Sequence, residues 1–162
     1  MSNVFARTGE RVKQALLHFT LCGLDDVYLA NGYEITDYDG DKGVAIKELD
    51  QLHNAIGYSL VKEKKALNGR ELRFLRKEMN MRQADLARLL GLSSQQVARW
   101  EKGTSEISGP ADLLVRAAYL EHLGNDVNLL KLRSNIDDMD SPASGKNIFE
   151  ETPQGWKHRH AA

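Results

Sequence analysis

The segment ARLLGLSSQQVARW, residues 87–100, constrains the fold more than any other part of the chain. A leucine-rich helical stretch reaches Gly91, and Ser93 stands immediately before a second stretch of helical spacing. Glycine tolerates the left-handed backbone that ends a helix, and a serine hydroxyl accepts a hydrogen bond from the first turn of the next helix. The segment therefore predicts two short helices joined by a tight turn, which is the layout of a helix-turn-helix.

The second of these helices is predicted to have two faces of different chemistry. Val97 and Trp100 lie three residues apart and should face the core. Gln95 and Arg99 lie four residues apart and should face outward. Arginine can pair with guanine O6 and N7 and glutamine with adenine N6 and N7, so this outer face suits base reading in a DNA major groove. Taken alone, these side chains would more often form a solvated polar face. Because the helix lies in a helix-turn-helix, base reading becomes the favoured interpretation.

Apolar spacing predicts further short helices on both sides of this pair. Between residues 68 and 125 we expect four helices, from RELRFLRKEM to PADLLVRAAYLEHLG, and NDVNLLKLRSN suits a short fifth helix. The positions expected to be buried are Leu72, Leu75, Met79, Leu86, Leu89, Leu90, Val97, Trp100, Leu113, Leu114, Ala117 and Leu120.

The N-terminal part is predicted to contain β structure. Two β-favouring runs in VYLANGYEI flank Asn31-Gly32, a dipeptide that favours the type I′ turn of a two-residue hairpin. The strand containing Val27 would then pair with the strand containing Tyr33. The acidic stretch DYDGDKG that follows is predicted to be a loop.

A long helix is predicted from about residue 45 to residue 66, because one apolar stripe repeats there at intervals of three and four. The stripe consists of Ile46, Leu49, Leu52, Ile56 and Leu60. A two-stranded hairpin cannot bury its own face, so the hairpin is expected to pack on this helix or on a second subunit. From residue 136 onward the sequence is polar and aperiodic, and we expect a mostly disordered tail.

Charge is distributed unevenly along the chain. The formal net charge is only −1, but residues 61–110 carry eleven Lys/Arg against six Asp/Glu, between two acidic flanks. A local basic region is the electrostatic footprint of a phosphate-binding module. A set of solvated helix faces would give the same count, so charge by itself leaves the two readings about even.

Several other classes of protein are disfavoured by the sequence. Cys22 is the only cysteine, which excludes an intramolecular disulfide and fits a reducing compartment. The chain has no apolar run approaching the ~20 residues of a membrane span, and MSNVFARTGER lacks the apolar core of a signal peptide. We therefore expect a cytoplasmic protein. Asp25, Asp26 and the acids of DYDGDKG lie in turns and loops, and no catalytic constellation is predicted.

The stretch LRKEMNMRQADLARLLGLSSQQVARWEKG resembles the Cro and phage-repressor class of helix-turn-helix domains, often called XRE-type. The shared pattern is Leu-Arg, Gln-x-x-Leu-Ala, Gly-Leu-Ser, and then an aromatic residue followed by Glu-x-Gly, over about 55 residues. The resemblance implies a lambda-repressor-like helical bundle. It also implies that Ser94, Gln95 and Arg99 read DNA bases from the recognition helix.

The same resemblance implies roles for residues beside the recognition surface. Gln83 matches a glutamine that binds a DNA phosphate, and Gln96 lies where a backbone contact is usual. Arg82 replaces the serine or threonine that usually caps the second helix, and an arginine there is expected to reach a phosphate instead. Arg76 and Glu101 match a structural pair that ties the first helix to the end of the third.

A wider resemblance covers LCGLDDVYLANGYE, LNGRELRFLRKEM and EISGPADLLVR, which are similar to segments of the MqsA/YgiT-type antitoxin and regulator family. Members of that family place a small zinc module before the helix-turn-helix. That module needs four cysteines, because structural zinc is tetrahedral, whereas this chain offers only Cys22 with His18 and His53. We therefore expect no metal and no cofactor.

These patterns predict a mainly helical α+β protein in three parts. Residues 1–66 would form a β-hairpin and helix for dimerisation or partner binding, residues 67–135 the DNA-binding bundle, and residues 136–162 the tail. We expect a non-enzymatic transcription regulator, a homodimeric autorepressor that binds a palindromic operator in double-stranded DNA. The alternative is an antitoxin that sequesters a protein toxin and represses its own operon. The sequence leaves two alternatives for the dimer contact: the hairpin with its helix, or the fourth and fifth helices.

Overall fold

The computed structural model describes residues 5–6, 10–11, 15–140 and 145–160. The chain divides into two compact units. The strand unit comprises the described residues up to 21, residues 25–55 and those from 145 onward, and the helical unit comprises residues 22–24 and the described residues from 56 to 140. N-terminal strands are followed by a helical bundle, so the expected mainly helical α+β class is confirmed.

The strands of the strand unit are short and form three separate sheets. Their bounds are β1 Phe5–Ala6, β2 Glu10–Arg11, β3 Leu17–His18, β4 Val27–Leu29, β5 Tyr33–Tyr38, β6 Asp41–Ile46, β7 Asn147–Thr152 and β8 Gly155–Arg159. β1 pairs with β2, β5 pairs with β6, and the remaining four form a sheet in the order β3-β4-β7-β8. In that sheet β4 and β7 are parallel, and the other neighbours are antiparallel.

The hairpin predicted at Asn31-Gly32 is wrong. β4 pairs with β3 and β7, and the two-residue hairpin lies further along, where Asp39-Gly40 joins β5 to β6. Asp39 and Gly40 both have positive φ, as a type I′ turn requires, so the stretch DYDGDKG is a hairpin rather than the predicted loop. The Asn31 side chain is engaged elsewhere: its amide donates to the Glu151 carbonyl at 3.1 Å, and its oxygen accepts from the Glu151 N–H at 2.6 Å.

The mostly disordered tail predicted from residue 136 is also wrong for the residues that the structure describes. β7 and β8 form an antiparallel hairpin, and β7 lies parallel to β4. Phe149 is 1% exposed and Trp156 is 7% exposed, so these strands contribute to the apolar core of the strand unit. The pairing of Val27 with Asn147 joins distant parts of the sequence, and a local pattern contains no sign of it.

The helices match the predicted order, and four of them begin after a residue whose side chain caps the first turn. Their bounds are α1 Leu49–Glu63, α2 Gly69–Glu78, α3 Gln83–Leu90, α4 Ser94–Lys102, α5 Gly109–His122 and α6 Leu129–Asp137. α1 is shorter than the predicted 45–66, because Ala45 and Ile46 belong to β6. Asn68 begins α2 through a capping box with Glu71. Among the described residues, no helix is long and apolar enough to cross a membrane.

The core of the helical unit contains eight of the twelve predicted apolar positions, while Leu90 and Leu113 are only half-buried. Leu89 is 43% exposed and Leu114 is 37% exposed, so the prediction that they face inward is wrong. In α5 the buried face is turned toward Val115 and Arg116, both fully buried. The Arg116 guanidinium donates to Asp112 and to the Lys64 carbonyl, which compensates for the burial of its charge. Apolar spacing cannot predict a buried arginine.

Candidate nucleic-acid interface

The helix-turn-helix is formed by α3, a short turn and α4. Gly91 ends α3 with φ 69° and ψ 31°, the left-handed conformation that glycine adopts without steric cost. Ser93 caps α4, because its Oγ accepts a hydrogen bond from the Gln96 N–H at 3.2 Å. Gly103 ends α4 in the same left-handed conformation. The predicted pair of helices is confirmed, with Gly91 at the end of the first and Ser93 at the start of the second.

α4 has one buried face and one exposed face. Val97 is fully buried and Trp100 is 4% exposed, and both seat the helix in the bundle. The three residues predicted to read bases, Ser94, Gln95 and Arg99, are all exposed. Within the described part of the chain, their side chains make no hydrogen bond or ion pair with other residues. The structure therefore places three uncommitted polar side chains on the exposed side of one short helix.

A nearly buried ion pair holds the end of α4 against α2. The Arg76 Nε and Nη2 donate to the two carboxylate oxygens of Glu101, each at 2.8 Å, and Nη1 donates to the Met81 carbonyl at 2.9 Å. The two side chains are only 10% and 5% exposed. A bidentate arginine–carboxylate pair fixes both distance and orientation, so it restrains α4 relative to α2.

Close backbone packing supports the same junction. Gly69, the first residue of α2, lies against the carbonyl oxygens of Trp100 and Glu101 at the end of α4, and a Cβ on Gly69 would overlap them. Glycine is therefore required here for close approach and not for an unusual backbone angle. The residues around Gly69 in the sequence give no sign of this contact, because its partners Trp100 and Glu101 lie more than thirty positions away.

Two of the residues predicted to contact phosphate, Gln83 and Gln96, already form hydrogen bonds within the helical unit. Gln83, the first residue of α3, donates its side-chain amide to Glu101 Oε1 at 3.3 Å. Gln96 donates its side-chain amide to Ser105 in the loop after α4, at 3.4 Å. Both amides retain a second N–H, since an amide nitrogen carries two hydrogens. Each side chain is thus held by one bond and has one donor left for an external acceptor.

Arg82 is paired with Asp85, one turn further along α3. Its Nε and Nη2 donate to the two carboxylate oxygens of Asp85, each at 3.1 Å, and its backbone N–H donates to Asp85 Oδ2 at 2.9 Å. The hydrogen bond from the Arg82 side chain, followed by that from its backbone, lowers the pKa of Asp85 from 3.8 to about 2. The i, i+3 spacing of an arginine and an aspartate at a helix start was the available signal.

Other exposed cations extend the basic surface of the helical unit. Arg73 and Lys77 lie on α2, Arg88 on α3 and Lys102 at the end of α4, and all four are exposed. These positions are four of the eleven Lys/Arg found between residues 61 and 110. Exposed cations attract a phosphate backbone without selecting its sequence.

The histidines considered as metal ligands have local contacts of their own. The Nε2 of His18 lies 2.7 Å from the Asp25 carbonyl oxygen, and its ring stacks on Tyr28 at a centroid distance of 4.5 Å. His53 packs against Phe19. These contacts give both rings a structural role in the strand unit.

Comparison with protein families gives one match. A family model described as helix-turn-helix matches residues 72–110, a range that begins within α2 and ends at the start of α5. Comparisons with curated proteins and with solved structures gave no significant match. The family match supports a DNA-binding transcription regulator with an XRE-type domain, a class of domain that is not usually enzymatic.

Proposed function

We propose that this DNA-binding regulator is a homodimeric repressor that recognises a palindromic operator by placing α4 in the major groove. The observation that carries the proposal is the exposed face of α4, where Ser94, Gln95 and Arg99 have no partner within the described residues. A polar face of this kind is costly to bury unless its groups find hydrogen-bond partners, and base edges provide them.

Base selection is assigned to these three side chains. Arg99 is suited to guanine and Gln95 to adenine, and each bidentate pair discriminates against the wrong base by about 1–3 kcal/mol. Ser94, in the first turn, can donate to or accept from either kind of base. The Arg76–Glu101 pair restrains α4 relative to α2, so it also restrains the positions of the three side chains that α4 carries.

Phosphate contacts are assigned to Gln83 at the start of α3, to Gln96 of α4 and to Arg82 just before α3. Gln83 and Gln96 each keep one amide hydrogen available, and Arg82 keeps its Nη1 available while two other nitrogens bind Asp85. Contacts of this kind position the protein without reading sequence. Binding should therefore weaken steeply as salt concentration rises, because counterions are released from the phosphates.

Repression would follow from occupancy of a promoter. One short helix reads only a few base pairs, so a dimer is needed to place two copies of α4 in successive major grooves, about 34–36 Å apart. Two-fold symmetry of the protein would then be matched by a palindromic site.

The direct test is selection of bound duplexes from a random pool with the full-length protein. The proposal predicts enrichment of a palindrome whose half-sites are separated by one helical turn. Failure to enrich any sequence at moderate salt would reject sequence-specific recognition, and enrichment of a single undivided half-site would reject the dimer.

A second candidate is an antitoxin that adds toxin binding to the same DNA-binding activity. The observation that favours it is the strand unit, which has its own sheet and buried core and lies outside the matched residues 72–110. Co-expression with the product of the neighbouring reading frame tests it. A stable complex that protects cells from the toxicity of that product would support the antitoxin function. A product that is not toxic and does not bind this protein would reject it.

A further inference from the structure

The hairpin of β5 and β6 has one partly covered face and one uncovered face. Among the described strands, the two pair only with each other. Tyr33 is 6% exposed, and Ile35 and Ile46, which share its face, are half-buried, so this face turns toward the core of the strand unit. The opposite face, called the outer hairpin face, consists of Glu34, Thr36, Tyr38, Asp41, Gly43 and Ala45.

The outer hairpin face presents an aromatic ring beside two carboxylates. Tyr38 is 75% exposed, and Asp41 lies directly opposite it in the strand register. Glu34 lies on the same face of β5 and is also exposed. The only lysine of the hairpin, Lys42, lies opposite Asp37 and therefore on the other face.

The charge of this surface indicates which kind of partner it suits. Residues 33–46 carry four Asp/Glu against one Lys. Neither Glu34 nor Asp41 forms an ion pair with any residue in the ranges that the structure describes. Nucleic-acid phosphates and anionic lipids would bring further negative charge against these carboxylates, whereas a basic protein surface would neutralise them.

We propose that the outer hairpin face docks a partner protein whose contact surface carries arginine or lysine side chains. A cation of the partner lies over the Tyr38 ring, and the carboxylates of Asp41 and Glu34 pair with it or with its neighbours. Tyrosine and arginine are among the residue types that contribute most to interface affinity. The proposal rests on the second candidate function, in which the strand unit binds a protein, and it names the chemistry of that partner.

The hairpin is held in shape before any partner arrives. The Thr36 hydroxyl donates to the Gly43 carbonyl at 3.3 Å, which ties β5 to β6 on the outer face. At the tip, the Gly40 N–H donates to Asp37 Oδ1 at 3.0 Å. A surface that is already ordered loses less conformational freedom on binding, so a small contact area can give useful affinity.

Site-specific photocrosslinking identifies the partner. The full-length protein with p-benzoylphenylalanine in place of Tyr38 is expressed and irradiated in cells that carry the native gene, and the product is identified by mass spectrometry. Leu21, which is 83% exposed and also lies in the strand unit, is the control position. We expect a protein attached at position 38 and not at position 21. Attachment of nucleic acid, or no product beyond that at position 21, overturns the proposal.

The affinity of the purified pair tests the assigned chemistry by isothermal titration calorimetry. Glu34→Gln/Asp41→Asn should raise Kd about 10-fold or more, because two carboxylates lose their counter-charges. Tyr38→Ala should raise Kd about 30-fold or more, as expected for an anchoring aromatic residue.

A matched control removes the same amount of charge elsewhere in the strand unit. Glu48 and Asp50 are exposed acids outside the hairpin, and Glu48→Gln/Asp50→Asn should leave Kd almost unchanged. Hairpin variants that bind as tightly as this control overturn the proposal.

DNA binding separates failure of this contact from failure of DNA recognition. The residues of the outer hairpin face lie outside α3 and α4, so both hairpin variants should bind the selected operator as the wild type does. A partner whose affinity ignores both hairpin variants rejects the docking surface and leaves operator binding intact. Failure to select any operator rejects DNA recognition and leaves the calorimetric result for the partner unchanged.

Discussion

Replacement of Arg76 by methionine should destabilise the helical unit far more than loss of an ordinary ion pair. The change removes three hydrogen bonds, two to Glu101 at 2.8 Å and one to the Met81 carbonyl at 2.9 Å. Among the described residues, the Glu101 carboxylate then keeps only the hydrogen bond from the Gln83 amide at 3.3 Å, while its side chain is 5% exposed. Because an uncompensated carboxylate remains away from water, we expect a loss of about 3–5 kcal/mol.

A surface pair provides the control for this magnitude. Arg133 and Asp137 of α6 also form an arginine–carboxylate pair, at 2.7 Å, but their side chains are 41% and 58% exposed. Arg133→Met should therefore leave the free energy of unfolding almost unchanged, as is usual for solvated i, i+4 pairs. The difference between the two substitutions isolates the effect of burial from that of the bond itself.

Urea unfolding followed by helical circular dichroism measures both values. The double variant Arg76→Met/Glu101→Leu completes the cycle, and it should recover most of the stability lost in the single variant because no buried charge remains. A loss below about 1 kcal/mol for Arg76→Met, or a double variant as unstable as the sum of its singles, would refute the role assigned to this pair.

Four further substitutions test the surroundings of the recognition surface. Arg82→Ala should weaken binding to all duplexes alike. NMR titration should show the pKa of Asp85 return from about 2 toward 3.8 in this variant. In the wild type, the contribution of the Arg82–Asp85 pair to stability is complete above pH 4 and is lost as pH falls toward 2, because the carboxylate is then protonated. Asp85→Asn should strengthen binding to all duplexes, and an unchanged affinity would show that this charge lies away from the phosphates. Gln83→Ala should weaken cognate and random duplexes equally by fluorescence anisotropy, whereas a selective loss would contradict a phosphate contact. Gly69→Ala should lower the free energy of unfolding by about 1–3 kcal/mol through overlap with the α4 carbonyls, whereas Gly109→Ala, at the equivalent first position of α5 with open space around it, should not.

The helix-turn-helix could be predicted because its signals are local. A glycine at a helix end, a serine at a helix start and two inward residues three apart are all contained in fourteen residues around Gly91. The faces of α4 follow from the same short segment, so Val97 and Trp100 are buried where they were expected. Each of these features is fixed by hydrogen bonds or spacing within two turns of helix.

The strand unit could not be predicted in the same way, because its pairing is not local. Asn31-Gly32 and Asp39-Gly40 are both good hairpin dipeptides, and the choice between them depends on β7, which takes the place beside β4. The strand Asn147–Thr152 looked like part of a polar tail, since only Ile148 and Phe149 are strongly apolar. Nothing near either segment in the sequence reveals that they meet.

Within the recognition surface, the unpredicted features are those that depend on partners. Gln83 was assigned to phosphate alone, but its amide is also bound by Glu101. Asp85 was passed over, although it controls the guanidinium of Arg82. Residue type and position gave the side chains that face outward, whereas the bonds that orient them required the folded chain.

The most direct measurement of the central claim is the affinity of the wild type and of Arg99→Ala for every single-base variant of the selected operator. If Arg99 reads a base from α4, the variant should lose about 1–3 kcal/mol on the operator and become indifferent to the base pair at one position of each half-site. Arg88→Ala, an exposed arginine of α3, should instead weaken all duplexes to the same extent. A uniform loss for Arg99→Ala, with its base preferences unchanged at every position, would contradict the account.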